Sequence, residues 1–475
     1  MNLRIGVLVT AMTAVFLVSV SAADDPVVRE LNAAERAVVE SITQSSVLGT
    51  VGFLASDEMA GRDTPSPELT IASAYVAARF RAAGLEGLGP DGSFFQTHEY
   101  SQSLPPANPG SLSVQGRDVR LLGALFGAAD ATEIRGRLVT ADAEISEGTI
   151  AVVTEPALPP QAMDRPASAL AAVARAVLPV QSAGASAVLV LTAADSPLLS
   201  LNQSLRVRPA TIPQQLRPRV PVILVAAAEK LSGEAVLNAA AEEPLVSDVR
   251  NVIGVVRGSD PELTQEAIII SAHLDHIGRV SGDRGGDTIN NGADDNATGV
   301  TAVITLADAF GRLEQKPRRS VIFMTFWGEE KGLLGSRAYC ETPLWPLQKT
   351  VANINVEMIG RPEEGADSKA WGTGWTRSSL GPQLAAGAQR VGVEIFHRED
   401  VSEMLYTRSD NYAFVGKGVI AHSYSAGSLH SDYHRPTDEV ERLNIPHMTH
   451  VIQGLFAGSL PLALGELTPV VTESK

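Results

Sequence analysis

The chain has 475 residues, 44% hydrophobic and 19% charged, with a formal net charge of −16. That is a globular composition, long enough for two or three domains. Its acidity argues against nucleic acid or an anionic membrane as the main partner, while metal cations are tolerated.

Residues 1–22 combine Arg4, an apolar run over 5–18 and small residues suited to cleavage after Ala22 or Ala23. This reads as a signal peptide, and so as an exported protein, periplasmic or secreted. The alternative is an uncleaved anchor. The apolar run is shorter than the ~20 residues of a spanning helix, and no later segment reaches that length. The one cysteine, Cys340, excludes an intrachain disulfide, leaving the core or bound metal as sources of stability.

The spacing of Leu31, Ala34, Val38, Val39 and Ile42 predicts a helix over 26–47 with one buried face. "FLASDEMAGRDTPSPE" follows as a polar, turn-rich loop, then an amphipathic helix in "LTIASAYVAARFRAAGLEGLG" that stops at glycines. "SFFQTHEYSQSL" begins a strand. From 109 to 246 the texture changes to Ala, Val and Pro, with Phe126 the only aromatic residue and no histidine. Short β-like runs there ("GTIAVVTE", "ASAVLVLTAA", "VPVILVAAAE") alternate with a helical "ASALAAVARAVLPVQSAGA", predicting a smaller α/β module without acid–base or metal chemistry. The module would interrupt a larger discontinuous domain over 26–108 and 247–467. From 251 onward strands and helices alternate, which predicts an α/β fold with a mostly parallel sheet whose ligands sit at the carboxyl ends of the strands.

Eight of the nine histidines fall between 273 and 450. Five polar clusters stand at or just beyond predicted strand ends: "SAHLDH", "NNGADDNATG", "WGEE", "NVEMIG" and "DYHRPTDE". Each holds one natural metal ligand, namely His273, Asp295, Glu330, Glu357 and His434. Five histidine and carboxylate donors exceed what one catalytic zinc uses; two cations sharing a carboxylate would use them all. Asp275, two residues beyond His273 on an extended strand, is placed to accept the second imidazole N–H. A carboxylate outside the coordination sphere would then serve as general base. Alone, each cluster has an ordinary reading: surface hydrogen bonds, solvated loop charges after a strand, a polar turn. Their joint occurrence in this order is what points to metal.

These five blocks resemble those of the di-zinc aminopeptidase family that includes bacterial leucyl aminopeptidases and glutamate carboxypeptidase II. The loop over 53–68 resembles the start of that family's peptidase domain. The 109–246 region is similar to the protease-associated domain often inserted there. The resemblance implies two zinc ions bridged by Asp295 rather than Asp294, with His273 and Glu357 completing one and Glu330 and His434 the other. It implies Glu329 as general base and Tyr433 as a hydroxyl that steadies the oxyanion. One departure is Glu357, where many members have aspartate; its extra methylene calls for a retracted strand or a changed binding mode. Asp410 resembles an outer position that orients a ligand. His276 reads as an outer or packing histidine, and Arg361 and Arg408 as substrate-carboxylate binders or ion-pair partners. No motif supports His422, His430, His447 or His450. The activity so implied is removal of amino-terminal residues from peptides with a free amino terminus. A carboxypeptidase or dipeptidase of the same architecture is the enzymatic alternative, and a non-catalytic binding protein on the fold the other.

Overall fold

The computed structural model describes residues 26–159, 166–207, 212, 214–280 and 286–472, so the signal-like segment at 1–22 lies outside the described residues. A mixed nine-stranded sheet runs in the order Glu86–Gly87, Glu243–Val256, Ser320–Phe326, Ala267–His273, Thr350–Val356, Ala421–Ser425, Lys369–Gly372, Glu394–His397. Phe95–Leu104 pairs with the first part of Glu243–Val256. The four strands in the middle, from Ser320–Phe326 to Ala421–Ser425, are mutually parallel, and antiparallel neighbours flank them. Their register sets His273 opposite Phe326 and Val356 opposite Tyr424. The polar residues that follow each strand therefore gather along one sheet edge.

Alternation along these strands builds two buried layers. Ile268, Ile270 and Phe323 pack with the helices Pro67–Ala82, Gly299–Arg312 and Ile445–Ala463. Ile269, Ile322 and Met324 face the opposite layer, with Tyr339, Trp345 and Phe414. Burial on both faces explains why "AIIISAH" and "SVIFMTF" are nearly continuous apolar runs.

A second sheet of eight strands takes the order Arg117–Val119, Gly110–Val114, Gly233–Ala239, Thr132–Thr140, Ile150–Thr154, Ala187–Thr192, Val222–Ala226, Leu121–Phe126. It has its own apolar layers on both faces. The chain leaves the larger sheet after Leu104 and re-enters it at Glu243, opposite that residue.

Three features differ from the sequence expectation. The first helix is two, Ala33–Ser41 and Gln44–Leu54. The chain breaks at Ile42, and Thr43 caps the second piece, just as Asn32 and Glu35 form a capping box on the first. The short strands Lys369–Gly372 and Glu394–His397 extend the sheet beyond the Ala421–Ser425 edge. Finally, Ile445–Ala463 forms a long helix buried almost all round, so its sequence lacks a polar face. Among the described residues no single helix is long and apolar enough to cross a membrane. The bent pair Ala33–Ser41 and Gln44–Leu54 meets that test only jointly, and its Val47, Val51 and Leu54 lie in the core.

Candidate metal centre

The site is assembled where the parallel strands end. His273 closes Ala267–His273, and Glu357 directly follows Thr350–Val356. Glu329 and Glu330 follow Ser320–Phe326 after a turn at Gly328, whose φ of +66° suits glycine. Asp295 sits in the wide turn Ala293–Thr298 that leads into Gly299–Arg312. That turn is pinned by the Asp438 carboxylate, which accepts the Asp294 N–H at 3.1 Å and the Asp295 N–H at 3.1 Å. Asp294 is spent within the loop: its Oδ1 accepts the Gly360 N–H at 2.7 Å and its Oδ2 lies 3.2 Å from His430 Nε2. Only Asp295 is left facing the other donors. Gly292, at φ +59°, has no room for a side chain, since a Cβ there would lie 2.3 Å from the Asp295 carbonyl oxygen and 2.5 Å from His276 Cγ.

All five sequence-expected ligands come together, in two groups that share Asp295. In the first, His273 Nε2 lies 3.3 Å from Asp295 Oδ1 and 2.9 Å from Glu357 Oε1. In the second, His434 Nε2 lies 3.1 Å from Asp295 Oδ2 and 3.2 Å from Glu330 Oε1. Asp295 thus turns one oxygen to each group. His434 holds a left-handed backbone, φ +57°, and its ring stacks on Tyr433 with centroids 3.9 Å apart. His276 also enters the second group, its Nδ1 2.8 Å from Glu330 Oε1 and 3.7 Å from Asp295 Oδ2. The spacing in "HLDH" was the only sequence sign of it.

The donor set fits divalent zinc: nitrogen and carboxylate ligands, closely grouped and withdrawn from solvent. Asp275, Asp294, Asp295 and Asp438 are buried here, and Arg62 is the buried guanidinium among them. Such an excess of buried negative charge is costly without cations. The atoms that converge in the second group, Asp295 Oδ2, Glu330 Oε1, His276 Nδ1 and His434 Nε2, also lack hydrogen-bond partners.

The outer contacts depart from expectation in two respects. The His273 Nδ1 N–H points to the main-chain carbonyl of Asp275 at 3.0 Å, while that residue's carboxylate is 3.9 Å away. The carboxylate instead accepts from the Thr64 hydroxyl at 3.0 Å and from the Glu329 N–H at 3.1 Å. Asp275 therefore holds the Glu329 turn through its carboxylate and the His273 ring through its main-chain carbonyl. Glu357 is oriented not by Asp410 but by its neighbour Ser409, whose hydroxyl donates to Oε2 at 2.7 Å. Arg62 was missed by sequence reasoning. It is fully buried, and its guanidinium donates to the carbonyls of Leu274, Asn291 and Gly292 at 3.0, 2.9 and 3.1 Å, and also to that of Leu54. Burial lowers its pKa to about 10, which still leaves it charged, with Asp275, Asp295, Asp438 and Glu330 sustaining the charge.

The adjacent glutamates are driven apart. Burial pushes the Glu329 carboxyl well above the usual carboxylate range, reinforced by Glu330 and Glu357 against the opposing pull of His273. Burial and Asp295 act in the same sense on Glu330, but contacts with His276 and His434 hold it down at about 2. Glu329, Glu357 and Asp295 open onto a cavity also lined by Tyr433, Trp371 and Arg408. Arg361 is not part of it and pairs with Asp432 at 3.1 Å.

Residues 251–457 match Peptidase family M28. A probable glutamate carboxypeptidase from Arthroderma benhamiae is 31% identical over 112 residues, 23% of this chain and 14% of that protein. The match thus spans about a seventh of that relative. An aminopeptidase from Aneurinibacillus sp. strain AM-1 shares the fold with a TM-score of 0.53 at 18% identity, over 90% of this chain and 96% of its own. A zinc aminopeptidase from Bacillus subtilis does so with a TM-score of 0.53 at 17% identity, over 91% and 96%.

Proposed function

We propose that this chain, a zinc-dependent peptide hydrolase by its M28 segment, is an exported aminopeptidase that holds two zinc ions and releases residues from the free amino end of peptides. His273, Asp295 and Glu357 would hold one cation, and Asp295, Glu330 and His434 the other. The cations would supply polarisation of the scissile carbonyl and a lowered pKa for water in the site. Glu329 takes the proton from the attacking water and returns it to the leaving amine, and Tyr433 donates its hydroxyl to the oxyanion. The observation that carries this reading is the divergence of Glu329 and Glu330. Glu329 opens onto the cavity, where water and substrate can reach it, whereas Glu330 is drawn into a histidine–carboxylate group. The signal-like segment at 1–22 supports export, and the eight-stranded sheet, whose strands lie between Gly110 and Ala239, is proposed as a protease-associated-like insert that shapes access and ends where the chain re-enters the larger sheet at Glu243 rather than at 246.

A second reading, cleavage from the carboxyl end, is favoured by Arg408. It is the one cationic side chain among the described residues lining the cavity, and it is suited to a substrate carboxylate. Assay of one peptide with its amino end free or acetylated, and its carboxyl end free or amidated, separates the two. Loss of cleavage on acetylation alone supports the aminopeptidase; loss on amidation alone overturns it in favour of the second reading.

A further inference from the structure

We propose that His276 is a fourth protein ligand of the second cation, so that this position is closed and tightly held while the first keeps an open coordination place. The inference rests on the two-cation reading and goes beyond its five ligands. His276 is fully buried and neither ring nitrogen has a hydrogen-bond partner. Its Nδ1 nevertheless lies 2.8 Å from Glu330 Oε1. A contact that short without hydrogen-bond geometry indicates two lone pairs directed at a common point rather than at each other.

The whole group behaves in that way. Its four donor atoms each lack a hydrogen-bond partner and lie within 4.8 Å of one another. Four of the six distances among them are 2.8, 3.7, 3.1 and 3.2 Å. A tetrahedron of ligands about 2.0–2.1 Å from zinc has edges of about 3.3 Å. A bound cation would satisfy all four atoms at once, where an unpartnered buried polar group otherwise costs about 1–3 kcal/mol. The first group offers three protein donors, His273, Asp295 and Glu357, and there His273 Nε2 and Glu357 Oε1 are already within hydrogen-bond reach at 2.9 Å. Four protein ligands mark a closed zinc site, and three mark one with room for water or substrate. The pair is therefore asymmetric: the first position is where a carbonyl or water has space, and the second is a fixed anchor for Asp295.

Packing sets the ring in place. The His276 main-chain N–H donates to the Arg62 carbonyl at 3.3 Å, the ring meets the His434 ring edge-on with centroids 5.4 Å apart, and Gly292 leaves space for it.

The test uses the full chain, with zinc retention under graded chelator measured by metal analysis. In wild type, one zinc should survive chelator that removes the other. His276→Leu, which keeps bulk without a lone pair, should weaken the tightly held zinc by more than the ~10–100-fold typical of losing an outer partner. His276→Asn, whose amide oxygen stands near the Nδ1 position, should recover part of that loss. With one equivalent of cobalt(II), wild type should give the strong visible absorption of a tetrahedral site, and His276→Leu a weaker one. A folded His276→Leu protein that keeps both zincs at wild-type affinity would overturn the proposal. If that variant does not fold, a weak wild-type cobalt spectrum at one equivalent overturns it on its own. Wild-type protein that takes up no zinc at all sinks the two-cation reading itself.

Discussion

Replacing Arg62 with methionine tests whether the metal loops are held by a buried charge. The change leaves four buried carbonyls, on Leu54, Leu274, Asn291 and Gly292, without their donor. At about 1 kcal/mol each, the low end for an unsatisfied buried group, the loss is roughly 4 kcal/mol. That is a large share of the ~5–15 kcal/mol by which domains are stable, and at about 2 °C per kcal/mol it lowers Tm by about 8 °C. It also removes the positive charge facing Asp275, Asp295, Asp438 and Glu330. Those carboxylates then lean more heavily on bound cations, so Arg62→Met should fall further below wild type when chelated than when zinc-loaded. Arg62→Lys keeps the charge but not the planar fork, and should lie between the two. Calorimetric melts of the three proteins, with and without zinc, read this directly. A chelated Arg62→Met protein melting within about 2 °C of chelated wild type would show that the Arg62 guanidinium does not hold these loops.

Glu329→Gln should lower kcat by at least ~100-fold while two zincs remain bound, the scale of a lost general base. Glu330→Gln should lose a zinc as well, and metal analysis that finds the reverse pattern means the two roles are exchanged. His422 and His447 are buried, and burial lowers both pKa values from the ordinary 6.5 to about 4. Because the unfolded chain binds these protons first, stability is intact above about pH 6.5 and falls as pH drops toward 4, by up to about 3 kcal/mol for each residue. The urea midpoint should follow that limb. His447→Asn, whose amide oxygen can still accept the Ser368 N–H that Nδ1 accepts at 3.0 Å, should flatten it; identical acid limbs for the two proteins would contradict the assignment.

The parallel core and the five ligand clusters were legible because each depends on local pattern. Apolar runs long enough for buried strands end in polar residues, and parallel strands bring such ends to one edge. What was not legible depends on orientation. Nothing in "HLDH" says that the His276 ring turns toward Glu330, or that His273 Nδ1 takes the carbonyl of Asp275 rather than its carboxylate. Arg62 lay in a stretch read as a polar loop, although its left-handed backbone, φ +49°, carries the side chain inward to distant carbonyls. Ser409 acts on Glu357 across 52 positions of sequence, a pairing with no local signature. The helix Ile445–Ala463 escaped notice because burial on nearly every side removes the periodicity by which helices are recognised.

The proposed role of two cations sharing Asp295, enabling Glu329 to hydrolyse peptides, is tested by titrating zinc back into fully chelated protein while peptide cleavage and bound metal are followed together. Cleavage should be absent without metal and should reach its maximum as the second zinc per chain is bound. Undiminished cleavage by the metal-free protein, or full activity with no zinc retained, would rule out that role.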